Sequence, residues 1–187
     1  MHVSKGRGQA IPAIKRGGII RRLRKDESGV TAIEFGLVAA PFFALMVAII
    51  EVALVFFANF SLENGVDQAA RLIRTGQAQQ QGFSAAQFKQ SICENVSVLS
   101  DCDGGLKLDV QRFDSFTGVS LDDPLTGDGE LRDDFGFDAG VGGDVVVVRA
   151  FYEWSLIADL PGGLGNMPSG GRLLAAVAAF RNEPFDN

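Results

Sequence analysis

From Val30 to Phe60 the chain reads VTAIEFGLVAAPFFALMVAIIEVALVFFANF, 31 residues in which Glu34 and Glu51 are the only charges. As an α-helix this run is about 46 Å long at 1.5 Å per residue, against about 30 Å for a hydrocarbon core. It spans a bilayer and still protrudes. Its apolar residues surround the helix instead of forming one stripe, so it needs lipid or a bundle of similar helices around it. A cleaved secretory signal carries an apolar stretch of about 7–15 residues before a small-residue site, and this run is too long and too continuous for that. Three residues inside it need a reason. Glu34 lies a turn into the apolar region, where an acidic side chain costs about 2.5–3.5 kcal/mol near a membrane centre and less toward the interface. It calls for a partner unless it is interfacial and hydrated. Pro41 removes a backbone donor, leaves the Leu37 carbonyl without its usual partner and favours a kink, which membrane helices tolerate. Glu51 stands about 26 Å beyond Glu34 along the helix and belongs at the outer interface.

Charge divides at this segment. The whole chain of 187 residues has a formal net charge of −6, but residues 1–28 hold eight basic residues against Asp26 and Glu27, a net of +6. The other 159 residues hold nine basic and twenty-one acidic ones, a net of −12. A basic block directly before an apolar run is retained on the cytoplasmic side, because Lys and Arg resist translocation and are attracted to anionic lipid. The acidic body is expected across the membrane. Nucleic-acid binding is a poor account of the basic arm, which has no aromatic interleaving and no recognisable fold of its own.

The stretch Gly29-Val30-Thr31-Ala32-Ile33-Glu34-Phe35 resembles the processing site of type IV pilins and pseudopilins, where a prepilin peptidase cuts after Gly and the fifth mature residue is Glu. Over residues 22–80 the chain resembles more closely the TadE-like pseudopilins of the tight-adherence (Tad) secretion and pilus system, and the terminal FRNEPF at 180–185 is similar to such proteins too. Gly-x4-Glu-Phe is a weak motif alone and becomes specific between a basic leader and an apolar run of this length. The resemblance implies cleavage between Gly29 and Val30, with Glu34 and Phe35 serving assembly. It implies prepilin peptidase, inner-membrane lipid and other pilins or pseudopilins as partners. A bacterial inner-membrane location follows, single-pass, with the N-terminus cytoplasmic and the C-terminal domain periplasmic, and with incorporation into a pilus open. Physical chemistry fits these implications. Gly29 puts no side chain in a protease's way and breaks the helix at the cut. Cleavage creates an ammonium group on Val30, four residues from Glu34. In the pilin family that glutamate attracts the amine of a neighbouring subunit; a paired buried carboxylate costs far less than an unpaired one, which makes Glu34 a device for register.

The organisation expected is a basic leader at 1–29, a long helix at 30–80 with its first half in the membrane, and a periplasmic α+β domain at 81–187. Leu62, Val66, Ala69, Ala70 and Ile73 recur at helical spacing among Glu63, Asp67, Arg71 and Arg74, so the second half of the helix is amphipathic and lays an apolar face on the domain. Residues 77–82 read as its end. Ser84 and Gln87 form a possible capping box, with Phe83 and Phe88 placed for a hydrophobic staple and Phe88, Ile92 and Val96 forming a stripe. Leu106, Leu108 and Val110 alternate with Lys107, Asp109 and Gln111, a half-buried strand. Val145 to Trp154 is the strongest strand, rich in β-branched and aromatic residues. Residues 172–181 favour a terminal strand by alternation, although their Leu and Ala content also permits a helix. The fold class is α+β, a long N-terminal helix packed on a small, mainly antiparallel sheet.

Cys93 and Cys102 are the only cysteines. Their spacing suits neither a redox pair nor a zinc set, so a disulfide is the economical reading, worth about 2.5–3 kcal/mol, with two free buried thiols as the alternative. Residues 114–138 are rich in Gly and acids without EF-hand spacing, which favours a solvated surface over a calcium site. Gly162-Gly163-Leu164-Gly165 reads as a flexible turn and not a nucleotide fingerprint. His2, the only histidine, falls in the leader, so no histidine-based catalytic set can be built; no enzyme, metal or cofactor is expected. A minor pilin or pseudopilin of the Tad machinery, supporting pilus biogenesis and adherence, is the function this sequence favours. An uncleaved bitopic anchor with a periplasmic binding domain is the alternative.

Overall fold

The computed structural model describes residues 29–157 and 163–185. The leader before Gly29 lies outside the described residues, as does Gly162. The chain forms two compact units, residues 1–45 and 46–187. Helix α1, Val30–Arg74, runs through the boundary, and Pro41 sits inside it without ending it. In the first unit the described residues are this helix alone, preceded by Gly29.

The second unit is an α+β body. α1 stops at Arg74, and Gly76 turns the chain in the left-handed region at φ 77° before a single helical turn, α2, Gln77–Gln80. The stretch expected as one helix over 30–80 is thus two, broken where a residue without Cβ takes a backbone conformation unfavourable to others. Ser84 caps α3, Ala85–Cys93, through the expected box: its N–H donates to Gln87 Oε1 at 2.9 Å, and the Gln87 N–H donates to its hydroxyl at 3.3 Å. Phe88, Ile92 and Val96 are buried as the stripe required, Val96 lying just past the helix end. A short helix, α4, Cys102–Gly105, then leads into β1, Lys107–Phe113. β2, Val145–Trp154, and β3, Arg172–Arg181, complete an antiparallel sheet of order β1-β2-β3. The terminal segment is a strand, as its alternation indicated.

The core lies between the second half of α1, α3 and one face of this sheet. Leu62, Val66, Ala69, Ala70 and Ile73 are all buried there, with Phe88 and Ile92 from α3 and Val146, Val148, Ala150 and Leu174 from the strands. β2 is buried on both faces through Tyr152, because residues between β1 and β2 fold over the far side. This corrects the reading of β1: Asp109, a polar alternate of a half-buried strand, is 1% exposed. It accepts from Arg149 of β2 through both Nε (2.9 Å) and Nη2 (2.6 Å), while Arg149 Nη1 donates to the Asp122 carbonyl at 2.8 Å. The acidic 114–138 stretch is therefore partly a cover for the sheet. Phe135 stacks on Phe151 at 5.5 Å, and Arg149 lies over the same Phe151 ring.

Candidate functional site

The residues singled out for processing and assembly stand at the start of α1. Gly29 directly precedes the helix, and a Cβ built on it would meet nothing within 4 Å. Val30 opens the helix. Glu34 follows one turn later, at the i, i+4 spacing that places two side chains on one face. Glu34 is exposed and makes no hydrogen bond or ion pair among the described residues. Phe35 beside it is 71% exposed.

Exposure along α1 then changes abruptly. From Val30 to Ile50 no side chain is buried, even though Ile33, Leu37, Phe43 and Ile49 are large and apolar. From Glu51 onward, Val55, Ala58, Leu62, Val66, Ala69 and Ile73 are buried at intervals of three or four. The first stretch is 21 residues, about 31 Å of helix, which matches a hydrocarbon core of about 30 Å. The apolar run in the sequence is longer only because Val52–Phe60 is apolar for a different reason: part of it packs on the body.

Glu51 marks the change. It is 4% exposed, and its Oε1 accepts the backbone N–H of Ile157 at 2.5 Å. The carboxylate thus holds the connection that leaves β2, a tie between residues 106 positions apart that no local pattern in the chain indicates. On the opposite side of the same turns, Phe56, Phe57 and Phe60 are exposed by 57–72%.

Two covalent and polar ties fasten the body. Cys93 and Cys102 form a disulfide with Cα atoms 5.7 Å apart, joining the end of α3 to the start of α4. The C-terminal FRNEPF segment forms a clamp. Asn182, 2% exposed, donates to the carbonyls of Ala139 and Val141 at 3.0 Å, and the Glu183 N–H donates to the Arg74 carbonyl at 2.9 Å. Phe185 fills the space beside Gly76, where an added Cβ would approach its ring to 2.6 Å. One segment therefore fastens the last turn of α1 and the loop before β2. Of the acids in the 114–138 stretch, Asp133 pairs with Lys107, and Asp134 takes two bonds from Arg132 that hold its carboxyl below the usual range. Among the described residues no group of three or more His, Cys, Asp or Glu side chains converges as a metal site.

Residues 29–71 match the family model described as TadE-like protein. No curated protein and no solved structure matches the chain. The matched residues contain the candidate cleavage site, Glu34, the exposed apolar stretch and most of the packed half of α1.

Proposed function

We infer that the chain is a TadE-like protein of the Tad system, a reading supported by the TadE-like match over residues 29–71, and the apolar helix near the N-terminus is compatible with a single-pass membrane anchor. We propose that the protein is a minor pilin or pseudopilin of the Tad machinery: cleaved between Gly29 and Val30, held in the inner membrane by Val30–Ile50 and assembled with other pilins through this helix, with its body on the periplasmic side. One observation carries the reading. Glu34 has no partner among the described residues, yet it stands in a helical segment whose length and exposure suit lipid. A carboxylate facing lipid is costly unless paired, by up to about 2.5–3.5 kcal/mol at the membrane centre and less toward the interface. The ammonium created on Val30 by cleavage supplies the pair, and the amine of an incoming subunit can supply it in the assembled state. Processing and assembly thus act through the same two groups, and adherence follows from the assembled pilus. No catalytic step is assigned to the chain, and its partners are prepilin peptidase, membrane lipid and companion pilins.

The test combines two measurements. N-terminal sequencing of the membrane-extracted protein should begin at Val30; a start at Met1, or after Met removal, would favour the uncleaved bitopic anchor. Glu34→Ala should insert and be cleaved normally, since losing a charge makes the helix more apolar, while crosslinking to companion pilins and pilus-dependent adherence are lost. Unchanged crosslinking at normal protein level would remove the role given to Glu34.

A further inference from the structure

The two edges of the sheet end differently. Along β1, the Val110 N–H donates to the Gly136 carbonyl and the Asp138 N–H donates to the Val110 carbonyl, both at 2.9 Å, so residues 136–138 cap that edge in a parallel bridge. The same bonds fix which residues of each strand face inward. In an antiparallel ladder a residue that points its N–H and C=O away from one neighbour points them toward the other, alternating along the strand. Val110 pairs in register with Val148, and Val148 with Ala178. Because Val110 bonds outward, the bonds between β2 and β3 belong to the even-numbered residues of β3. Two observations agree with this: the Asn182 N–H reaches back to the Asp144 carbonyl, and the Leu173 N–H turns away from β2 to the Asn166 side chain at 2.7 Å.

The outward N–H and C=O groups of Ala175, Val177 and Ala179 consequently lie on an open edge, with no strand beside them among the described residues. The side chains of these three residues are exposed on the outer face, Val177 by 58%. Between Arg172 and Arg181 this edge has no charge and no proline, although charges, prolines and short strands are the usual protections of an edge. The two arginines are the strand's only charges; among the described residues neither forms an ion pair, and Arg172 Nη1 donates to the Leu164 carbonyl at 3.1 Å.

We infer that the open edge of β3 docks an extended segment of a partner protein, adding a fourth strand, and that this segment carries acidic residues near both ends. Main-chain bonds to Ala175, Val177 and Ala179 supply the attachment, and side chains on alternate positions supply selectivity. The charges choose the occupant. A second copy of β3 laid antiparallel in register sets Arg172 against Arg181, and laid parallel it sets each arginine against its twin; like charges placed opposite one another destabilise strand pairing. A strand with Asp or Glu at its ends turns both positions into attraction. Small or β-branched apolar residues suit its centre, where Ala175, Val177 and Ala179 offer a shallow surface. This docking does not depend on cleavage of the leader or on Glu34.

The test uses the full chain in detergent micelles and a synthetic ten-residue peptide of alternating Thr and Val with Glu at each end. Amide hydrogen exchange is read residue by residue. Without peptide, the amides of Ala175, Val177 and Ala179 should exchange fast, whereas those of Leu174, Ala176 and Ala178 are slow. Peptide should slow the first three by about tenfold or more, since exchange reports the opening of a bonded amide. A Lys-ended peptide should protect them much less. Val177→Pro, which removes an outward donor at an edge position where proline is tolerated, should abolish the protection while Leu174, Ala176 and Ala178 stay slow. Equal protection by the Lys-ended peptide, or protection surviving Val177→Pro, would overturn the proposal. So would concentration-dependent protection without any peptide, which would assign the edge to a second copy.

Discussion

The two halves of α1 are nearly equal in helix quality and opposite in what they ask of their surroundings. Val30–Ile50 is apolar on every side and buries nothing, while Glu51–Arg74 confines its buried residues to one stripe and turns Glu63, Asp67 and Arg71 outward. Backbone hydrogen bonding alone does not distinguish them, since apart from the Leu37 carbonyl that Pro41 leaves without its usual donor both satisfy it internally. What separates them is the medium each face meets: a helix apolar all round needs lipid or other helices, and a striped one needs a single protein surface. One continuous element thus joins an exposed apolar stretch of membrane-spanning length to a stretch that packs on the body.

That comparison can be broken from the body outward. The largest effect should come from Arg149→Ala, which leaves the buried Asp109 carboxylate without its charge partner. Stability of the body in urea should fall by about 3–5 kcal/mol, while the protein still partitions into membranes through Val30–Ile50. If membrane retention collapses together with the body, the two halves of the helix are not independent.

A matched pair of truncations sharpens the contrast within the helix. Leu62 is fully buried and Leu37 is 72% exposed. Leu62→Ala should cost about 2–5 kcal/mol in urea unfolding, whereas Leu37→Ala should leave that transition unmoved. Equal losses would mean that the first half packs on protein after all.

Glycines give the same comparison by adding atoms. A Cβ on Gly65 would lie 2.3 Å from Val96 Cγ2, while one on Gly36 meets nothing within 4 Å. Gly65→Ala should lower the thermal midpoint through about 1–3 kcal/mol of overpacking. Gly36→Ala should be neutral in the same melt, or mildly stabilising to the helix. The smallest expected effect concerns the surface of the body. Because Arg132 depresses the Asp134 pKa, the contribution of this pair is present above the ordinary carboxylate range and is lost as pH falls through the lowered value. Asp134→Asn should therefore flatten the acid limb of a stability-versus-pH curve slightly, by an amount near the limit of measurement for a solvent-exposed pair. A large change would show that the cover segment, not only its surface, depends on the bond.

Features set by neighbours in the chain were legible from the residues alone. The Ser84–Gln87 box, the Leu62–Ile73 stripe and the Val-rich β2 each depend on spacings within a few positions, and a periodicity or a capping rule captures them. The Cys93–Cys102 bond was legible because only one pairing exists.

Other features were decided only when distant residues met. Asp109 and Arg149 looked like polar positions on a solvated face, and the folding of the 114–144 segment over the sheet made them a buried pair. Glu51 looked like an interfacial charge, and the connection after β2 closed over it. The apolar run from Val30 to Phe60 set the presence of a membrane-length helix, but hydrophobicity does not say whether lipid or protein will cover a side chain. That choice fell at Glu51, where the body first supplies a surface, because burial depends on the arrival of a partner face that no local pattern encodes.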